Sequence, residues 1–404
     1  MSSPPRPRRA LSARGGNLRS DGDPRWRKLL SEALAIPTDA DARELTHGFH
    51  SYPARFHPLL CRRILAESAQ QGSVVLDPFV GSGTTLVEAA VRGATSFGVD
   101  ANPLAVALAT LKATPWHFDA RMLLNERAAA VSARSLERVK LRTRSKTFGH
   151  QYDDPKYYDT HIFRELVGLR EEIEGEAEPI RGVLLLILSS ILVKVSRQRS
   201  DSSGAEVERT IGKGMPSRLF ARKADELVRG LAAFATAVPP GTKLVDVRLG
   251  DARKMPHLKK ATVDVILTSP PYLGTYDYTE HHARRFGWLG LDATLFDKAE
   301  LGSRRRAAPA TPEVAMAAWQ KDVDVFVAEF SRVLKPGGLA FVAIGDSALG
   351  TYVVPGDEAI RKAAERAKLT VTASAAEERP NFYDRTRRTM REEHLILLAK
   401  PAAP

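Results

Sequence analysis

The chain has 404 residues and a mass of 44.3 kDa, enough for two to three domains' worth of sequence. Hydrophobic residues are 43% and charged residues 27%, which excludes a wholly disordered or collagen-like chain. One cysteine, Cys61, excludes a disulfide framework and a cysteine-built zinc site. The net charge of +12 favours a polyanionic partner, nucleic acid or an anionic membrane surface.

Residues 1–25 are rich in Pro, Arg, Ser and Gly and read as a disordered basic tail. The first 20 residues carry five arginines and no apolar core, so no secretory signal is expected. An Arg- and Ser-rich start is also the composition of a transit peptide; the default expectation is a cytoplasmic, reducing compartment. A helix is expected from Pro24 to Ala35.

Strand and helix signals then alternate. Val74 to Leu76 is a short apolar strand ending at Asp77, followed by a Gly-rich turn and a helix through Leu86 to Val91. Ser96 to Val99 is a second strand, ending at Asp100, and Pro103 opens a further helix. This is the start of a parallel α/β sheet. From Pro115 to Pro240 the pattern turns helical and basic. Arg121 to Lys146 holds eight basic and two acidic residues, Lys194 to Lys223 eight and three. The longest apolar run, Val183 to Val193, is broken by Ser189 and Ser190 and is shorter than the ~20 residues of a membrane span, so it reads as a buried helix. Strand signals resume at Leu244–Leu249, Val263–Leu267, Leu339–Ile344 and His394–Leu398. The simplest account is one doubly wound sheet, with residues 26–114 and 241–404 as its two parts and residues 115–240 as a helical insert.

Two motifs carry chemistry. In LDPFVGSGTT, Gly81 and Gly83 allow a tight turn and Thr84 and Thr85 open a helix, whose free N–H groups suit an anion. Asp100, at the next strand end, suits two ribose hydroxyls. Alone, such a turn fits an NAD site, a nucleotide site or a structural turn. It lacks the third dinucleotide-fingerprint glycine, and no Walker lysine follows. In the second motif, an apolar strand runs into Thr268-Ser269-Pro270-Pro271-Tyr272. Paired prolines remove two donors and leave outward carbonyls. With the Ser269 hydroxyl and the Tyr272 face, they make a pocket for a planar group bearing an amine.

Together, DPFVGSGTT and TSPPY resemble the amino-group DNA methyltransferases that use S-adenosylmethionine. The Ser-Pro-Pro-Tyr form is most typical of the cytosine-N4 enzymes. The resemblance implies a Rossmann-like class I methyltransferase fold with a mostly parallel seven-stranded sheet. It implies a catalytic loop of Ser269, Pro270, Pro271 and Tyr272. It also implies cofactor contacts from Tyr52, Asp77, Pro78, Phe79, Gly81, Gly83, Thr84, Thr85, Asp100, Asn102 and Asp251, with the segment Thr46 to Pro58 closing over the cofactor. The expected partner is double-stranded DNA with base flipping, without metal or membrane, in a nucleoid-associated cytoplasmic enzyme. There is room for a companion restriction endonuclease. The helical insert is the candidate target-recognition region, with Arg197, Arg199 and Lys213, joined by Arg304 and Arg305, as candidate DNA contacts. The alternatives are adenine-N6 methylation of DNA, guanine-N2 methylation of RNA, and a non-catalytic nucleic-acid-binding protein on the same fold.

His47, His50 and His57 cluster before the glycine turn and read as cofactor-lid or surface residues rather than a metal site. His281, His282, Tyr276, Asp277 and Tyr278 follow the catalytic loop and are candidates to line the base pocket.

Overall fold

The computed structural model describes residues 16–36, 40–141, 157–200, 203–275, 277–350, 352–379 and 391–402. Its strands are β1 (Leu18–Gly22), β2 (Val74–Asp77), β3 (Thr95–Asp100), β4 (Gln198–Ser200), β5 (Ser203–Glu206), β6 (Asp246–Leu249), β7 (Val263–Thr268), β8 (Leu334–Gly345), β9 (Ser347–Leu349), β10 (Tyr352–Val354), β11 (Thr370–Glu378) and β12 (Glu392–Ala399). Its helices are α1 (Pro24–Leu34), α2 (Pro58–Ser68), α3 (Thr84–Val91), α4 (Pro103–Ala113), α5 (Phe118–Lys140), α6 (Thr160–Glu174), α7 (Ile180–Leu192), α8 (Met215–Ala237), α9 (Tyr278–Leu289), α10 (Thr294–Ala299), α11 (Arg304–Ala307), α12 (Pro312–Val333) and α13 (Gly356–Arg366).

The main sheet runs β1-β11-β12-β8-β7-β2-β3-β6. β6, β3, β2, β7 and β8 are parallel, while β12, β11 and β1 are added antiparallel. This is the expected α/β Rossmann-like sheet, with one strand more than the seven foreseen. The extra strand is β1, which lies in the stretch read as a disordered tail. Leu18 to Gly22 pairs with Glu377 to Ala373 of β11, and Pro24 already starts α1 under an Asp23 cap. The rest of that tail, residues 1–15, lies outside the described residues.

Strand alternation sets the layers. Val75, Val265, Leu267, Phe341, Ala343, Leu395 and Leu397 point to one face, under α1 and α2. Leu76, Ile266, Val342, Ile344, Ile396 and Leu398 point to the other, under α12 and α13. Each buried Leu or Phe contributes roughly 2–5 kcal/mol against truncation to Ala.

The helices α5 to α8 are not a separate ball. Leu124, Val131, Ile162, Leu166, Leu184, Leu188, Phe220 and Leu227 share one core with Leu104 and Leu108 of α4 and with Phe286 and Trp288 of α9. Glu165 of α6 accepts from the N–H groups of Gly214 (2.8 Å) and Ser217 (2.9 Å), capping α8 from outside. The apolar run of residues 183–193 is the buried α7, and among the described residues no helix is long and apolar enough to cross a membrane.

The chain leaves β2 in one direction, to β3 and β6, and later returns beside β2 as β7 before moving the other way to β8. The strand order therefore reverses between β2 and β7. Open α/β sheets form their ligand crevice at such a switch point, outside the carboxyl ends of the strands.

Candidate active site at the switch point

Both motifs emerge at that crevice. The glycine turn follows β2, and Ser269 to Tyr272 follows β7. They are tied directly, because Thr268 Oγ1 donates to Asp77 Oδ1 at 2.7 Å. The same carboxylate oxygen accepts from the N–H of Phe79 at 3.1 Å, and Thr85 Oγ1 donates to the carbonyl of Leu267 at 3.3 Å. Burial raises the Asp77 carboxyl to about 6, against the hydrogen bonds it accepts. Asp77 and Thr85 thus clamp the two strand ends together. Pro78 is buried beside them, and Phe79 packs edge-on against Phe326 of α12 at 5.2 Å.

The turn itself is held from both sides. Gly81 (φ +48) and Gly83 (φ +83) take the left-handed region. A Cβ on Gly83 would stand 2.8 Å from Ala109 Cα, so only glycine lets α4 approach. Between them, the carbonyl of Ser82 accepts from Lys112 Nζ at 2.6 Å. Lys112 is fully buried; burial, reinforced by Arg55, holds its pKa well below the ordinary lysine range. Thr84 and Thr85 are buried at the start of α3.

Asp100 ends β3 and faces the turn. Its Oδ2 accepts from the N–H of Gly81 at 2.9 Å and its Oδ1 from the N–H of Asn102 at 2.9 Å. Burial raises it to about 6, opposed by those N–H bonds. Asn102 is fully buried; its Oδ1 accepts from Leu104 N–H at 2.9 Å, capping α4. Tyr52 covers the turn, its Cε1 3.4 Å from where a Gly81 Cβ would lie. Asp251, by contrast, is held by Arg253, whose Nη2 donates to Oδ2 at 2.7 Å and whose Nη1 continues to Asp322 at 2.6 Å.

On the β7 side, Pro270 is buried and Ser269 and Pro271 are half-buried. Tyr272 OH donates to Glu393 Oε1 of β12 at 2.6 Å. Burial and then Glu393 push the phenol pKa well up, opposed by a hydrogen bond from Ser269. Gly345 makes room for the ring, because a Cβ there would lie 2.7 Å from Tyr272 Cε2. The following loop is fixed by Asp277, whose Oδ1 accepts from Ser303 Oγ (2.7 Å) and from Arg305 N–H (2.8 Å). Desolvation opposes ionisation of Asp277, but these bonds and Arg304 outweigh it and lower its pKa. Tyr276 lies outside the described residues.

The three early histidines go separate ways. His47 Nε2 meets Glu88 Oε1 at 2.9 Å, His50 Nε2 meets Ser189 Oγ at 3.0 Å, and His57 Nδ1 accepts from Leu59 N–H, capping α2. Cys61 is buried, with Sγ 4.0 Å from Thr85 Oγ1, and burial raises its thiol pKa well up.

The candidate DNA contacts fall in two places. Arg197, Arg199 and Lys213 are exposed in the insert, and Arg197 pairs with Asp159 at 2.6 Å. Arg304 lies 3.8 Å from Asp277, and Arg305 pairs with Asp297 at 2.6 Å. Neighbouring Gln198 takes a hydrogen bond from Arg284 at 2.5 Å, which anchors the β4–β5 hairpin to α9. Residues that sequence reasoning passed over are Lys112, Gly345 and Glu393. Lys112 is the one charged position in the apolar helix PLAVALATLKA, a signal that was visible. Glu393 has no local signal, since its role arises from β12 lying beyond β8.

Comparison with known proteins locates the likeness. Residues 26–111 match the DNA methylase family model. The type II methyltransferase M.MvaI of Kocuria varians is 38% identical over 80 residues, which is 19% of this chain and 18% of that protein. M.BsoBI of Geobacillus stearothermophilus is 21% identical over 280 residues, 64% of this chain and 55% of that protein. Among solved structures, a SAM-dependent methyltransferase of Methanosarcina mazei is 10% identical with a TM-score of 0.32, covering 84% of this chain and 98% of its own. The chain thus spans little more than half of M.BsoBI and under a fifth of M.MvaI. The resemblance to the amino-group DNA methyltransferases drawn from the motifs is found over residues 26–111, the stretch that holds the glycine turn, Asp100 and Asn102.

Proposed function

We propose that this protein transfers a methyl group from S-adenosylmethionine to the exocyclic N4 amine of a flipped cytosine in DNA. The observation that carries the reading is the Thr268–Asp77 hydrogen bond at 2.7 Å, which sets the amine-accepting loop beside the glycine turn. The residues present fit the cofactor. Backbone N–H groups of Gly81 and Asn102 aim the Asp100 carboxylate at the crevice, where in this reading it accepts the ribose hydroxyls. Gly81, at φ +48, keeps the turn without a side chain where Tyr52 covers it.

When bound, S-adenosylmethionine supplies an electrophilic sulfonium methyl. The chain's own task is to present a poor nucleophile to it. The lone pair of a cytosine N4 amine is conjugated with the ring. Ser269 Oγ and the Pro270 carbonyl accept the two amine hydrogens, which favours a pyramidal nitrogen with its lone pair free. Tyr272 OH donates to Glu393, and in this reading the Ser269 hydroxyl turns its lone pairs to the amine. Tyr272, fixed by Glu393 and seated over Gly345, gives the base a stacking face. Such positioning supplies effective molarity, and aimed dipoles supply more. The base leaves the duplex to reach this loop. A cysteine nucleophile, needed for carbon-5 methylation, is not offered: the chain's one cysteine, Cys61, is buried on the inner face of α2.

The test is transfer of tritium from labelled S-adenosylmethionine to duplex DNA. Incorporation that Ser269→Ala lowers by two or more orders of magnitude supports the reading. DNA retention without transfer favours a binding protein instead, and transfer only to RNA overturns the DNA assignment.

A further inference from the structure

Asn102 is the meeting point of three segments far apart in the chain. Its Oδ1 is committed to the N–H of Leu104 at 2.9 Å, which fixes the amide orientation. Its two Nδ2 hydrogens therefore face outward. One goes to Tyr52 OH at 3.2 Å, in the segment that covers the glycine turn. The other goes to Nδ1 of His282 at 3.0 Å, in the second turn of the helix that follows the Ser269–Tyr272 loop. The Tyr52 and His282 rings also meet edge to face, with centroids 4.9 Å apart. Both Asn102 and His282 are buried, at 0% and 1% exposure, so an unmet donor or acceptor here carries a full desolvation cost.

We propose that His282 is a positioning residue that holds the cofactor-covering Tyr52 and the ribose-side Asn102 in register with the target-base loop. The inference rests on the cofactor reading above. Because Asn102 Nδ2 can only donate, His282 Nδ1 accepts, and its ring proton sits on Nε2. Burial first, then the nearby Arg285 and His281, hold His282 well below the ordinary imidazole range, which keeps it in that neutral form. Losing the acceptor frees one Asn102 hydrogen and removes the edge that Tyr52 rests on. Tyr52 then no longer stays over Gly81. Cofactor and base sites are thereby coupled through one imidazole, and such coupling is reciprocal.

The test compares His282→Leu, which keeps bulk without an acceptor, with His282→Asn, whose Oδ1 can stand near the Nδ1 position. The readouts are the Kd for S-adenosylhomocysteine by calorimetry and the imidazole 15N signals of the ligand-free wild type. The expected results are a non-protonated Nδ1 with a protonated Nε2, about a tenfold weaker Kd in His282→Leu, and recovery to within about threefold in His282→Asn. A thermal midpoint equally lowered in both variants, with binding lost in both, would mark a merely structural histidine and overturn the proposal. So would a protonated Nδ1, or a Kd unchanged in His282→Leu. No binding by the wild-type protein overturns the cofactor reading itself, whatever the tautomer.

Discussion

Two carboxylates carry opposite duties within one crevice. Asp77 spends an oxygen on Thr268 and Phe79, so it is a tie between strands rather than a free ligand. Thr268→Val removes the donor and leaves that oxygen partly unmet, so it is expected to cost about 1–3 kcal/mol in denaturant unfolding. Asp100 is held by backbone N–H groups, and burial raises its pKa to about 6. An ionised Asp100 accepts ribose hydroxyls, whereas protonation replaces an acceptor with a hydrogen. Affinity for S-adenosylhomocysteine is therefore expected to be full near pH 7.5 and to fall as pH drops through about 6. Asp100→Asn should bind weakly with that pH dependence gone. A variant that keeps the slope would assign it to Asp77, which titrates in the same range. At this scale the sequence was informative wherever chemistry was local. Asp100, the glycines and Ser-Pro-Pro-Tyr stand in their own motifs. Glu393 acts on Tyr272 from 121 residues away with no local pattern to mark it, and His282, marked only by following the loop, meets Asn102 from 180 residues away.

Among elements, what could be read followed from hydrophobicity. β2, β3, β7, β8 and β12 are apolar runs and were legible as strands. β11 is TVTASAAEE, small and polar, and it becomes a strand only because β12 and β1 flank it. β1 is LRSDG, exposed throughout, and pairing with β11 decides it. Both depend on partners that propensity does not see. The packing of α4 on the glycine turn yields a sharp prediction. Gly83→Ala adds a Cβ 2.8 Å from Ala109 Cα at φ +83. It should cost about 2–3 kcal/mol and weaken cofactor binding along with stability. A neutral effect would mean that α4 can retreat without disturbing Asp100.

For the whole molecule, α5 to α8 share a core with α4 and α9, so the insert and the helices beside the candidate site form one packed body. A net charge of +12 and exposed Arg199 and Lys213 suit the DNA backbone. Replacing both with Ala should reduce the slope of log Kd against log salt by about 2, measured on a nonspecific duplex, with methyl-transfer turnover at saturating DNA little changed. The run α5 to α8 was legible as helix, because strand–helix alternation stops at Pro115 and strand signals resume at Leu244. Its docking on α9 was not, because shared cores leave no sequence signature. The central claim is amine methylation at the Ser269–Tyr272 loop. Nucleoside mass spectrometry on DNA from a methylation-free host expressing the chain, with Ser269→Ala as control, tests it most directly. The account predicts N4-methylcytosine that vanishes in the variant. N6-methyladenine would contradict the base assignment, and a modified base that persists in Ser269→Ala, or none in the wild type, would contradict the site.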